Sequence, residues 1–258
     1  MVFKLGFLLI VLSSSSWAKT HLLAFGGGGA PPEGIEKLSI LAGGTQARYL
    51  YNTWASDDPD ESVAHFHDLM DQYHPEAAIQ APRPDWIKDH VQEFIDSLPS
   101  YTGFVFSGGD QNRVMDVCDA HPEIRKAFAD QFSLGKVFSG ASAGLAIMSA
   151  TMLTGEGDPM KLSPGAAVTR PGFGLLELAV LDSHFITRNR MQRLLSVLMG
   201  SQERYGIGVD ERTGVYIEDG KDVEVIGDSQ VVFIEKGQEP GQFSIRVLHH
   251  GAHFFLQP

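Results

Sequence analysis

Ser142 sits between two glycines in the run Gly140-Ala141-Ser142-Ala143-Gly144, after the apolar Val137-Phe138 and before Leu145 to Ala150. A serine on a sharp strand-to-helix turn has its hydroxyl thrust out at the end of a sheet, with the next N–H aimed at the same point. Glycine and alanine neighbours leave room for that backbone. The chemistry this layout suits is nucleophilic attack on a carbonyl, and the serine then needs a base. Of the ten histidines, His184 follows the apolar run Leu178 to Leu181, at the carboxyl end of an expected strand. Ligands of open α/β sheets gather at such ends. A carboxylate that orients the imidazole could come from Asp210 or Glu211, both directly after Gly206-Ile207-Gly208-Val209. Spacing does not choose between these neighbours.

Acyl transfer also needs donors for a developing oxyanion. The N–H of Ala143 is one candidate, and Gly109 in the turn Gly108-Gly109-Asp110 is another, because glycine lets backbone approach a ligand closely. Arg188, Arg190 and Arg193 crowd the segment after His184, and guanidinium forks suit substrate carboxylates. Two other groupings carry less chemistry. His65, His67, Asp71 and His74 have spacings open to a metal, yet they also fit the wet face of an amphipathic helix, and no metal is expected. Gly26 to Gly29 runs into Pro31-Pro32 and is not followed by a Gly-Lys-Ser/Thr phosphate loop, so it reads as a backbone turn at the edge of the site, and no cofactor is expected.

The elements that must hold these residues are strands and helices in alternation. Strands are expected at His21 to Phe25, Arg48 to Tyr51, Ala77 to Ile79 and Gly103 to Phe106, with helices over Glu33 to Ala42, Glu61 to Tyr73 and Trp86 to Leu98. Another helix opens at Pro122, and one follows the serine turn over Leu145 to Ala150. That order predicts an α/β fold with a mostly parallel sheet and helices on both faces. From Val215 onward, short strands broken by Asp219-Gly220 and Gly227-Asp228 read as an antiparallel appendage of the main sheet.

With 258 residues, 43% of them hydrophobic, the chain can bury a full core as one domain. Lys4, the apolar stretch Leu5 to Leu12 and the small residues Ser16 and Ala18 read as a secretory signal over 1–18, with a single domain over 19–258. The apolar stretch is too short for a permanent membrane anchor, so an exported protein, periplasmic or extracellular, is expected. The lone Cys118 allows no internal disulfide and reads as a buried thiol. A net charge of −12 without a basic stripe argues against a nucleic-acid partner.

Four motifs in order resemble the S51 serine peptidases. They are Phe106-Ser107-Gly108-Gly109-Asp110-Gln111, Gly140 to Gly144, Asp182 through Leu194, and Gly206 through Glu211. The resemblance implies a fold similar to class I glutamine amidotransferase domains, a homodimer, and a Ser142-His184-Glu211 triad, which favours Glu211 over Asp210. It also puts Gln111, Asp182, Ser183, Arg188, Arg190 and Arg193 in the substrate pocket. Within the family, the segment Asp182-Ser183-His184-Phe185 with its arginines looks most like members that hydrolyse cyanophycin, a poly-aspartate carrying arginine on its side chains. Those members usually have glutamine where this chain has Ser183. The implied activity is release of β-Asp-Arg dipeptides from cyanophycin. The alternatives are hydrolysis of small Asp-containing peptides by the same triad, or a non-catalytic binding protein in which Ser142 is structural.

Overall fold

A computed structural model describes residues 18–258, so the expected signal lies outside the described residues apart from Ala18. The first half alternates as expected: β1 (His21–Phe25), α1 (Pro32–Ala42), β2 (Arg48–Asn52), α2 (Pro59–Asp71), β3 (Ala77–Gln80), α3 (Pro84–Ser97), β4 (Gly103–Phe106), α4 (Gln111–Ala120), α5 (Pro122–Ser133) and β5 (Val137–Ala141). Prolines open α1, α2, α3 and α5, where a missing N–H costs nothing and a fixed φ suits the first turn. Two helices are capped by carboxylates. Asp58 accepts from the N–H of Glu61 at 3.0 Å at the start of α2, and Asp110 accepts from Asn112 at 2.9 Å at the start of α4.

After β5 come α6 (Ala143–Ala146), β6 (Thr151–Gly157), β7 (Ala167–Pro171), β8 (Ala179–Asp182), α7 (Met191–Gly200) and β9 (Tyr205–Val209). The chain closes with β10 (Thr213–Glu218), β11 (Asp222–Gly227), β12 (Val231–Lys236), β13 (Phe243–Leu248) and β14 (His253–Phe255). The main sheet has eight strands in the order β14-β11-β10-β1-β5-β4-β2-β3. Its half from β1 to β3 is parallel, and β10, β11 and β14 add antiparallel strands at the other edge.

Parallel strands need cover on both faces, which is why Leu22 to Phe25 and Phe104 to Phe106 are unbroken apolar runs. On one face Ile35 and Leu38 of α1 and Phe66 and Met70 of α2 pack against Leu23, Tyr49 and Val137. On the other, α3, α4 and α5 enclose an aromatic cluster in which Phe128 touches Phe94, Phe104, Phe106, Phe138 and Phe173, all with ring centroids within 6.2 Å.

Two expectations change. The helix after Ser142 ends at Ala146 rather than Ala150. The carbonyls of Ile147 and Met148 accept N–H bonds from Phe173, Leu175 and Leu176, so the backbone there is committed to a distant segment. The late strands also divide between two sheets instead of forming one appendage. β12 and β13 join β9 and β8 in a separate sheet of order β13-β12-β9-β8, where β8 and β9 run parallel. Among the described residues no helix is long and apolar enough to cross a membrane. Cys118 is fully buried, and burial pushes its thiol up to about 12, too high for a reactive thiolate.

Removing the ring at the centre of the aromatic cluster tests this core. Phe128→Ala is expected to lower unfolding free energy by about 4 kcal/mol, read as a shifted midpoint in denaturant.

Candidate active site

Ser142 occupies the tip between β5 and α6 with φ 54° and ψ −105°, a conformation that side-chain-bearing residues rarely adopt. The flanking glycines are forced by contact. A Cβ on Gly140 would lie 2.2 Å from the carbonyl oxygen of Gly144, and one on Gly144 would lie 2.3 Å from that of Phe106. The turn is thus locked between β4 and β5 with its hydroxyl free to face outward.

His184 Nε2 stands 2.8 Å from Ser142 Oγ, and His184 Nδ1 stands 2.6 Å from Glu211 Oε1. The three side chains come from two different sheets: Ser142 from the main sheet, His184 and Glu211 from beyond the ends of β8 and β9. Asp210, the rival carboxylate, has other work. Its Oδ1 accepts from the N–H groups of Ile186 and Thr187 at 3.1 and 3.0 Å, and Ser229 Oγ donates to its Oδ2 at 3.0 Å. Burial weighs against its charge, but these donors outweigh it and hold the carboxyl below its usual range. Asp210 therefore fixes the turn that carries His184, while Glu211 reaches the ring.

Burial lowers the His184 pKa, the bond to Glu211 opposes that, and the charges of Arg188 and Arg190 lower it further. A neutral imidazole bonded to a hydroxyl can take its proton, while the carboxylate behind it fixes the tautomer.

The glycine loop before α1 closes over this pair. His184 N–H donates to Gly26 O at 2.9 Å, and Arg212 N–H donates to Gly27 O at 2.8 Å. Gly27 has φ +103°, and a Cβ there would lie 2.4 Å from His184 Cε1. The sequence marks this loop as an edge of the site but gives no sign that it touches the imidazole.

The other expected site residues fall into two groups. The N–H groups of Gly109 and Ala143 have no hydrogen-bond partner among the described residues, and Gly108 abuts Ser142. Around the arginines, Asp182 is 1% exposed and holds Arg193 through both oxygens, with Nε at 2.7 Å. Arg190 donates to Ser183 O at 2.8 Å and to Ser183 Oγ at 3.1 Å, and lies 3.6 Å from Asp182. Arg188 is exposed and makes no ion pair among the described residues. Gln111 donates from its amide to Leu153 O at 2.8 Å, tying α4 to β6. The helix-face histidines His65 and His67 are exposed, and among the described residues no group of three or more His, Cys, Asp or Glu could hold a metal ion.

A mixed sheet with a serine elbow at its strand ends and an imidazole bonded to that serine defines a hydrolase-type site. The profile of Peptidase family S51 matches residues 25–225, and the chain belongs to this family of serine peptidases. It is 27% identical to a cyanophycinase of Geminocystis herdmanii over 223 residues, 85% of this chain and 82% of that protein. A cyanophycinase of Synechococcus elongatus is 26% identical over 84% of this chain and 68% of its own length. Among solved structures, a peptidase from an acI-B1 Actinobacterium superposes with a TM-score of 0.68, covering 92% of this chain and 96% of that one at 19% identity.

Two outcomes follow from this geometry. Gly27→Ala should cut kcat/KM by roughly a hundredfold, since a displacement of the ring by about 1 Å is enough for that loss, while circular dichroism stays native. With His184 as the proton acceptor, which requires the neutral ring, activity is expected to rise with pH through a pKa depressed below 6.5. Arg188→Gln removes a positive neighbour and should move that acid limb to higher pH, measured as kcat/KM against pH with a neutral ester.

Proposed function

We propose that this peptidase hydrolyses cyanophycin to β-Asp-Arg dipeptides with Ser142 as nucleophile, His184 as general base and Glu211 as the carboxylate that orients it. The observation that carries the reading is the continuous hydrogen-bonded chain from Ser142 Oγ through His184 to Glu211. His184 Nε2 takes the hydroxyl proton as Oγ attacks the scissile carbonyl. The N–H groups of Ala143 and Gly109 are the donors for the resulting oxyanion. His184 then passes the proton to the leaving amine, and water, deprotonated by the same imidazole, releases the acyl group from Ser142.

Substrate choice rests on the arginines and on the cyanophycinase relatives. Asp182 and Ser183 hold Arg190 and Arg193 in place, so they act as a fixed cationic wall. Arg188, exposed, is the fork most available to a substrate carboxylate. A polymer with a carboxylate-rich backbone and cationic side chains suits a cationic wall in a chain whose net charge is −12. Export rests on the leader at residues 1–18 and a homodimer on the family resemblance.

The test is incubation of the mature protein with insoluble cyanophycin and mass analysis of the products. β-Asp-Arg is expected from the wild type, with a loss of about 10⁴-fold or more in Ser142→Ala. Arg188→Ala should lose about tenfold or more on the polymer and little on a neutral ester. Turnover of small Asp-containing peptides with the polymer untouched would replace the substrate and keep the triad. Turnover of Ser142→Ala near the wild-type rate would end the serine mechanism.

A further inference from the structure

A cavity of about 520 Å³ opens at the nucleophile and runs down between the main sheet and the helices α1 and α2. Ser142, His184 and Gly109 lie on its wall at the catalytic end. Beyond them it is lined by Phe25, Leu38, Tyr51, Phe66, Leu69 and Val105. It shares no residue with the smaller hollow of about 300 Å³ that Arg188, Arg190 and Arg193 line. The nucleophile therefore borders an apolar slot that the arginine-based reading of the substrate leaves unused.

Its walls explain what it would take. Protein interiors normally close to crystal-like density, so open apolar space of this size beside core residues is uncommon without a ligand. Its volume lies within the range of small-molecule sites, and most of its lining surface is apolar, with polar residues such as Ser62, Ser107 and Ser139 among the lining. Tyr51 is 8% exposed, stacks on Phe66 at 4.4 Å, and its hydroxyl bonds to no described residue. At the rim Asp57 pairs with Arg113 at 2.6 Å and Asp58 caps α2, so these carboxylates are already engaged. Glu61 and His65 of α2 also line it, and both are exposed, so apart from His184 its carboxylates and histidines stay on its exposed side. The buried wall of Phe25, Leu38, Tyr51, Phe66 and Val105 offers a guanidinium no partner and suits hydrocarbon.

We propose that this slot is an acyl pocket, and that the enzyme also hydrolyses esters and amides whose acyl part is a medium-length alkyl or aromatic group. A leaving group must escape to water, whereas the acyl part stays bonded to Ser142 Oγ through the intermediate. A recess that starts at Oγ and sinks between sheet and helices fits the part that stays. In the reaction Ser142 Oγ forms an ester bond to the acyl carbon as the alkoxide or amine departs with the proton from His184. Water then splits that ester and restores the hydroxyl. The inference shares the nucleophile with the proposed function and is independent of its substrate.

The test is kcat/KM for p-nitrophenyl acetate, butyrate and octanoate with the wild type, Ser142→Ala, Leu69→Trp and Val105→Phe. Each buried methylene favours binding, so octanoate should exceed acetate by about tenfold or more. The two filling variants should lower the octanoate-to-acetate ratio by about fivefold or more, and Ser142→Ala should abolish both activities. Leu69 is only partly buried on α2, so its variant keeps the test valid if Val105→Phe fails to fold, as thermal unfolding would report. A flat or falling series, a ratio unmoved by a folded filling variant, or no ester turnover by an enzyme active on cyanophycin would each overturn the acyl pocket. Only loss of every activity's dependence on Ser142 would overturn the triad with it.

Discussion

The site depends on how closely the glycine loop after β1 approaches the strand ends of the second sheet. Gly26 donates to Thr213 O at 2.9 Å and accepts from His184 N–H, while a Cβ on Gly26 would lie 2.1 Å from Asp210 O. A Cβ on Gly28 would lie 2.8 Å from Glu211 Cβ. Bare backbone is the only thing thin enough to fill that seam. Because it is filled by backbone, His184 and Glu211 are referenced to β1, and β1 is hydrogen-bonded along its length to β5, which ends just before Ser142. Two sheets that could otherwise slide are pinned where one supplies Ser142 and the other the imidazole and carboxylate bonded to it.

Strain is concentrated at the same place. Ser142 has φ 54°, His184 has φ 46°, and Arg212, just after Glu211, has φ 53°. Positive φ at a side-chain-bearing residue costs on the order of 1–3 kcal/mol. The surroundings hold each one. Glycines flank Ser142, Gly26 O and the Asp210 carboxylate grip the turn around His184, and Gly27 O binds Arg212 N–H. The result is a set of groups whose positions are fixed before any substrate arrives, which is the condition for positioned acid–base catalysis.

Charge follows a similar logic of local order against the global balance. The chain is acidic overall, yet Arg188 and Arg190 lie close enough to His184 to lower its pKa, with Arg193 beside them on Asp182. Asp182, almost wholly buried, makes that possible by holding Arg193 and standing close to Arg190. A buried carboxylate with two guanidinium neighbours is stable only as a set, since removing one member leaves uncompensated charge. Arg190 and Arg193 are thus held by Asp182, while Arg188 is exposed without an ion pair among the described residues. The apolar slot that Ser142 helps to line lies apart from this cluster and shares none of its residues.

Much of this was legible in the residues. Apolar runs bounded by glycine and proline marked β1, β2 and β4 and helices α1, α2 and α3 to within a few residues, because burial on both sheet faces and helix-opening prolines leave local signatures. The serine elbow was legible too, since its small neighbours are demanded by backbone contacts within the turn and to β4 next to it. Spacing left Asp210 and Glu211 open, and only the fold separates them: one meets the N–H groups of Ile186 and Thr187, the other meets the ring. The division of the late strands into two sheets was invisible because β10 and β12 are both short apolar strands, and partner choice is decided by distant strands. The same holds for the short helix after Ser142, cut at Ala146 by carbonyls that bind residues 173–176. The apolar slot has no sequence signal at all, for it is the space that α1 and α2 leave when they pack on a twisted sheet. Local periodicity and turn chemistry fixed which elements form and where Ser142 sits; long-range packing decided which groups meet it.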